Sequence, residues 1–343
     1  MSELTANNNL YSKIAEILKA ARNTVVRTVN QTMVYTYFEI GRMIVEDEQQ
    51  GKERAEYGKQ ILKELSKRLT VGFGKGFSVQ NLENMRKFYL LYAPAEKSQS
   101  PIRISEKHNA MLSWTHYLVL IRIEKKEERS FYEIESLNNN WSVRELKRQF
   151  DTALYERLAL SRDKEGVKQL SERGQIIEKP IDFLKDPYIL EFLDLPEQHH
   201  YSESDLETAI IDKLEHFLLE LGKGFTFVGR QVRITIDEKH FKADLVFYNR
   251  LLKCFVVIDL KIGELTHQDI GQMQMYVNYH DRFVKLPDEN KTIGIILCKD
   301  KSKTLVEITL PEDNDSIFAS QYKTILPDKQ DFINLLNEGE ESS

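Results

Sequence analysis

Cysteine is nearly absent from this chain: 343 residues contain two, Cys254 and Cys298. Both fall in apolar, strand-like runs, where cysteine serves as a small hydrophobe, and together they give no disulfide framework. Histidine does not supply a zinc site either. His199, His200 and His267 have no partner cysteine at ligand spacing, and adjacent histidines in a loop chelate one ion poorly. No apolar stretch approaches the roughly 18–20 residues needed to span a bilayer. The start, Met-Ser-Glu-Leu-Thr-Ala-Asn, is polar and acidic rather than a signal peptide. No membrane partner and a cytoplasmic location are therefore expected. Net positive charge is lacking too. The formal charge of −6 does not announce a nucleic-acid binder.

That average hides an asymmetry. Residues 1–170 carry 28 basic against 22 acidic side chains, net +6, and residues 171–343 carry 20 against 32, net −12. The basic half is the better electrostatic footprint for a polyanion. The acidic half would need bound metal and local cations to tolerate phosphate.

The acidic half contains Phe241-Lys-Ala-Asp244-Leu-Val-Phe-Tyr248, a turn at Asn249-Arg250, then Cys254-Phe-Val-Val-Ile-Asp259-Leu-Lys261. The second segment has the near-continuous apolar pattern of a strand buried on both faces. Asp259 and Lys261, two residues apart at its end, project from one face. Buried charges cost several kcal/mol or more unless something pairs with them, and Asp244 on the neighbouring hairpin strand lies within reach. Two acids converging with a lysine suit a Mg²⁺ site, with Mn²⁺ as a substitute, and the hydrolysis of a phosphodiester. The Leu260 carbonyl could add an oxygen. Lys261 could orient or deprotonate the attacking water. Nearby anions favour its ammonium form and apolar surroundings the free base.

These residues resemble the PD-(D/E)XK nuclease superfamily, in the D-x-K variant Asp259-Leu-Lys261, with Ala243 where a proline often precedes the first acid. Gln272-Met-Gln-Met-Tyr276 resembles the Q-x-x-x-Y element of the RecB-like branch. Phe217–Phe225, Val228–Gln231, Val257–Lys261 and Ile293–Cys298 look like the C-terminal domain of YhcG-type (DUF1016) proteins. Phe77–Tyr89, Leu112–Tyr117 and Trp141–Leu146 look like their N-terminal domain. The resemblance implies a Mg²⁺-dependent nuclease acting on DNA in recombination, repair or defence. It implies that an acid on the first core helix, Glu207, completes the metal site with Asp244 and Asp259, and that Gln272 and Tyr276 stand near Lys261 and the scissile strand. Glu207 shares an apolar stripe with Ile211, Leu214 and Leu218, which turns it toward the sheet. A capping box Ser204-Asp-Leu-Glu207 would account for the same glutamate without any chemistry.

Along the chain, three- and four-residue spacing predicts helices from Leu10 to Glu48 and Arg54 to Leu69. After the turn Gly72–Phe77, a third runs from Ser78 to Tyr92. Helix, glycine turn, helix is compatible with a helix-turn-helix, and equally with an ordinary bundle. The glycines lack the spacing of a phosphate loop. A loop covers Pro94 to Lys107, short helices Ser113 to Ile123 and Arg129 to Leu137, and one helix Val143 to Leu160. Helix 204–221, strands 225–236, 242–248 and 252–260, helix 266–280 and strands 292–298 and 304–310 follow.

The expected fold is therefore mixed: an all-α, helix-turn-helix-like domain over 1–165, a connector over 166–196, a PD-(D/E)XK restriction-endonuclease-like mixed sheet flanked by helices over 197–337, and a disordered tail over 338–343. Arg86, Lys87, Arg144, Arg230 and Gln231 are candidate nucleic-acid contacts; charges on the helical faces would equally keep them soluble. DNA is favoured over RNA, with self-association through the helical domain. An inactive or conditionally active nuclease fold that binds nucleic acid, or an RNA-directed nuclease, is the alternative.

Overall fold

A computed structural model describes residues 2–50, 55–93, 112–160, 162, 164–195, 201–326 and 328–334. The Pro94–Lys107 loop, the His199-His200 pair and the 338–343 tail lie outside the described residues. The chain divides into two compact units, Met1–Lys147 and Arg148–Ser343. Among the described residues no helix is long and apolar enough to cross a membrane.

The first unit is helical: α1 (Ser2–Gln50), α2 (Ala55–Phe73), α3 (Val79–Tyr92), α4 (Trp114–Leu120), α5 (Lys126–Asn138) and the start of α6 (Val143–Asp151). The expected glycine turn joins α2 to α3, with Gly74 and Gly76 at φ of 84° and 120°, a region that disfavours side chains. Ser78 then caps α3, its hydroxyl accepting from the Asn81 N–H. The second half of α1 buries Val34, Phe38, Ile44 and Val45. There Gly41 lets α1 and α3 approach closely, because a Cβ would fall on the Met85 carbonyl. The first half is different. Tyr11, Ile14, Leu18 and Val25 are exposed, Tyr11 by 73%. Thr24, Thr28, Thr32 and Thr36 each donate a hydroxyl to the carbonyl four residues back, which satisfies the polar atom on the helix's own backbone.

In the second unit α7 (Leu154–Leu160) and α8 (Lys164–Arg173) precede β1 (Tyr188–Ile189), α9 (Glu203–Asp212), α10 (Leu214–Leu221), β2 (Phe225–Ile236), β3 (Lys239–Asn249) and β4 (Cys254–Glu264). Then come α11 (His267–Tyr279), β5 (Ile293–Asp300), α12 (Lys303–Thr309) and β6 (Ile317–Lys323). The six strands form one sheet in the order β1-β6-β5-β4-β3-β2. Strands β2, β3 and β4 are antiparallel, whereas β4, β5, β6 and β1 run parallel. Leu206 and Ile210 of α9 and Phe217 and Leu221 of α10 pack with Leu245, Phe247, Val256 and Ile258 in one core. Ile270, Met273, Tyr276 and Val277 of α11 pack with Val246, Val257 and Ile296 in the other. A mixed sheet between helices and a helical N-terminal region are the fold class the sequence implied.

Three elements differ. Residues 304–310 are helix α12, not a strand: Ser302 caps it by accepting from the Leu305 N–H, and Ile308 points to solvent, 80% exposed. The closing strand is β6 instead. The single helix expected over 204–221 breaks at Lys213, and that over 143–160 breaks at Ala153, whose φ is 52°. The second unit also holds a buried charge cluster. Glu220 and Arg157 are both fully buried, their Oε1 and Nη1 2.6 Å apart. Arg148 reaches Glu220 at 3.3 Å and Glu191 at 2.7 Å, and Lys185 donates to the Glu220 carbonyl. Burial alone would push the Glu220 carboxyl up, but Arg157, Lys185 and Arg148 together hold it down at about 2. Arg148 and Arg157 therefore belong to the core that contains Glu220.

Candidate active site

The β3–β4 ladder ends at the pair Leu245–Ile258. Beyond it the Leu260 N–H donates to Asp244 Oδ2 at 2.8 Å, a side-chain oxygen where the ladder would offer a carbonyl. Asp244 is thereby fixed between the strands. Asp259 stands beside Leu260 on β4 and is 2% exposed. Its Oδ2 lies 2.9 Å from Lys261 Nζ, yet that oxygen is buried and receives no hydrogen bond of good geometry. Burial first, and then repulsion from Asp244, push the Asp259 carboxyl up to about 7 against the pull of Lys261. Burial works to lower the Lys261 pKa, but Asp259, Glu203 and Asp269 outweigh it and the net shift is upward. Lys261 is thus held as an ammonium, which suits electrostatic stabilisation more than proton abstraction.

Glu207 is buried on α9. The alternative capping role falls to other residues, since Ser202 caps α9 reciprocally with Asp205. That leaves Glu207 for the site, but it does not join the aspartates directly. Gln231 Nε2 donates to Glu207 Oε2 at 2.5 Å and to Asp244 Oδ1 at 3.0 Å, standing between the two acids. Among the described residues no three His, Cys, Asp or Glu side chains group closely enough to hold a metal ion. The residues fit a divalent cation on two carboxylates, Asp244 and Asp259, whose mutual repulsion a cation would relieve. Mg²⁺ is commonly held by one or two carboxylates, waters and substrate phosphate.

Gln231 occupies its place at a conformational cost. Its φ is 49°, a left-handed residue inside a strand, which for a side chain with a Cβ costs about 1–2 kcal/mol. The β2–β3 register also shifts between Phe227 and Gly229, the kind of bulge that re-aims side chains near a site.

The other candidates divide. Arg230 is exposed, with Nε 3.8 Å from Glu207 Oε1. Tyr276 is buried on α11 and donates to the Lys242 carbonyl at 2.8 Å, while Gln272 donates to the Tyr276 hydroxyl at 2.7 Å. Burial, then Asp259 and Asp244, push the Tyr276 phenol up to about 12. Gln272 and Tyr276 thus brace β3 beside the acids, with Tyr276 within electrostatic reach of Asp259, Asp244 and Lys261. In the helical unit Arg86 is engaged by Glu48 at 2.7 Å, whereas Lys87 and Arg144 are exposed. Sequence reasoning overlooked two acids around Lys261, Asp269 at 3.8 Å and Glu203 at 4.0 Å. Asp269 also helps cap α11, its Oδ2 accepting from the Thr266 N–H and hydroxyl.

The model of the YhcG PDDEXK nuclease domain matches residues 181–337, and that of the DUF1016 N-terminal domain matches residues 13–157. A curated protein of Escherichia coli (strain K12), "Putative nuclease YhcG", is 40% identical over 94% of this chain and 91% of its own length. Among solved structures, a repair endonuclease from Pyrococcus abyssi aligns at 15% identity with a TM-score of 0.26, covering 38% of this chain and 50% of that one. EndoMS in its apo form aligns at 17% identity with a TM-score of 0.24, covering 38% and 48%.

Proposed function

Because this chain belongs to the YhcG family and carries its PDDEXK nuclease domain, we propose that it is a divalent-metal-dependent nuclease that hydrolyses phosphodiester bonds of DNA. The observation that carries this reading is Asp259: a carboxylate buried beside Asp244, whose burial and repulsion outweigh the pull of Lys261 Nζ 2.9 Å from its Oδ2. Such an arrangement is costly unless a cation or a reaction uses it. Asp244 and Asp259 would hold Mg²⁺ or Mn²⁺, which would polarise the phosphate and favour hydroxide as the nucleophile. Lys261 stabilises negative charge building on the phosphorus centre and orients the attacking water. Glu207 supports Asp244 through Gln231. Arg230, exposed at the edge of the site, contacts the flanking phosphate.

The helical unit supplies grip and self-association in this proposal, in a cytoplasmic enzyme serving DNA recombination, repair or defence. Lys87 and Arg144 offer free surface charge to phosphates. The exposed Tyr11, Ile14, Leu18 and Val25 of α1 suit a second copy of the same helix, since each such side chain contributes about 1.5–3 kcal/mol when fully covered. Leu18→Glu should then lower the mass of the full chain in sedimentation analysis; an unchanged mass removes this interface. The nuclease test is incubation of the pure protein with labelled duplex, single-stranded and branched DNA and with RNA, with and without Mg²⁺ or Mn²⁺. Metal-dependent cleavage of DNA that Asp259→Ala abolishes is expected. Preference for RNA would redirect the substrate, and wild-type cleavage by Asp259→Ala would sink the assignment.

A further inference from the structure

Gln231 was expected to contact nucleic acid, but its carboxamide is already committed. Both contacts of Nε2 go to acids, Glu207 Oε2 on α9 and Asp244 Oδ1 on β3. The backbone that makes this possible is unfavourable for glutamine: at a φ of 49° glycine or asparagine would sit more comfortably. Across Gln231 the inward apolar side chains of β2 also change partners. Phe225 and Phe227 pack in the core with α9 and α10, and Val232, Ile234 and Ile236 in the core with α11. A backbone outlier carrying a polar side chain between two acids points to function rather than packing.

We propose that Gln231 is a positioning residue for the nuclease reaction: its amide spaces Glu207 from Asp244 and aims Asp244 toward Asp259. This rests on the nuclease reading above and adds a role to it. Asp244 is gripped on both oxygens, by Gln231 Nε2 and by the Leu260 N–H at 2.8 Å, so it cannot rotate away when a cation or phosphate arrives. A neutral donor suits this place. A cationic one would compete with a metal ion for the carboxylates, and a third acid would add repulsion.

The test compares wild type with Gln231→Gly, Gln231→Asn and Gln231→Leu in the full chain. Three quantities are read: melting temperature in EDTA, the shift in melting temperature on adding Mg²⁺, and cleavage of labelled DNA. Affinity for the same DNA is measured by anisotropy in EDTA. Gln231→Gly should melt at or above the wild-type temperature, because it relieves the left-handed residue. It should nonetheless lose cleavage about 100-fold, the scale of a catalytic group misplaced by about an ångström, with a smaller Mg²⁺ shift and unchanged DNA affinity. Asn, one methylene too short to bridge, and Leu, with no donor, should lose cleavage similarly. Weakened DNA affinity with cleavage at saturation intact would make Gln231 a substrate contact and overturn the proposal. Retention of wild-type cleavage and Mg²⁺ shift by Gln231→Gly would overturn it as well. A wild type that shows neither cleavage nor a Mg²⁺ shift overturns the nuclease reading, and this inference with it.

Discussion

Replacing Asp259 with asparagine should make the metal-free protein more stable while destroying its activity. An aspartate in an unfolded chain titrates near ~3.9; in the fold Asp259 is pushed up to about 7 by burial and by Asp244. Between those two values the folded state binds more protons than the unfolded state, so stability falls as pH rises through that window and levels off above it. The gap of about three pH units corresponds to about 4 kcal/mol lost by pH 8. Asparagine keeps the shape without the charge. That figure already nets the pull of Lys261 against burial and Asp244, so asparagine should gain up to about 4 kcal/mol, or a rise of up to about 16 °C in melting temperature for a unit of this size. Thermal melts at pH 5 and pH 8 in EDTA measure it. Wild type should lose stability between the two and Asp259→Asn should lose much less. Adding Mg²⁺ at pH 8 should raise the wild-type melting temperature by mass action and leave the variant's in place. An asparagine variant that melts at or below wild type at pH 8 without metal would refute the claim that this carboxylate is strained.

Lys261→Ala should lose cleavage yet keep the Mg²⁺-induced shift in melting temperature, because the ammonium is not a ligand; loss of both would show that it organises the acids. Apparent Mg²⁺ affinity should rise with pH through about 7, because protons and the metal ion compete for Asp259, in melting-temperature titrations; an affinity flat from pH 5 to 8 contradicts that assignment. Glu220→Ala, which strands the fully buried Arg157, should cost about 3–5 kcal/mol in urea unfolding, far more than Glu191→Ala at the cluster's edge. A fragment starting at Arg148 should accordingly fold where one starting at Pro180 fails, since the shorter piece lacks both arginines that neutralise Glu220; equal stability of the two would deny the cluster its role.

The acid hairpin was legible because its chemistry is local: Asp259 and Lys261 sit at fixed spacing on a strand whose apolar run announces burial. The sheet's three antiparallel strands and α11 follow from the same patterning. Residues 304–310 misled because leucine, valine and isoleucine together favour a strand, while the deciding feature, the Ser302 cap, is a single hydrogen bond. The break at Ala153 has no glycine or proline to mark it. The Glu220 cluster was hidden for a different reason. Glu220, Arg157, Arg148 and Lys185 each read as ordinary surface charges, and only the tertiary fold brings them together. Gln231 could be placed near the site, but its left-handed backbone and its grip on two acids are properties of the bulged strand, not of the residue sequence.

Asp244 also does what a backbone carbonyl would do one rung further along the sheet, since its Oδ2 takes the Leu260 N–H after the β3–β4 ladder has ended. The gap between the diverging strands is therefore gauged by one short side chain, in the way a spacer sets the opening of a jaw. Glutamate at 244 would keep the charge but lengthen the spacer by a methylene, and the opening between β3 and β4 beside Asp259 would widen with it.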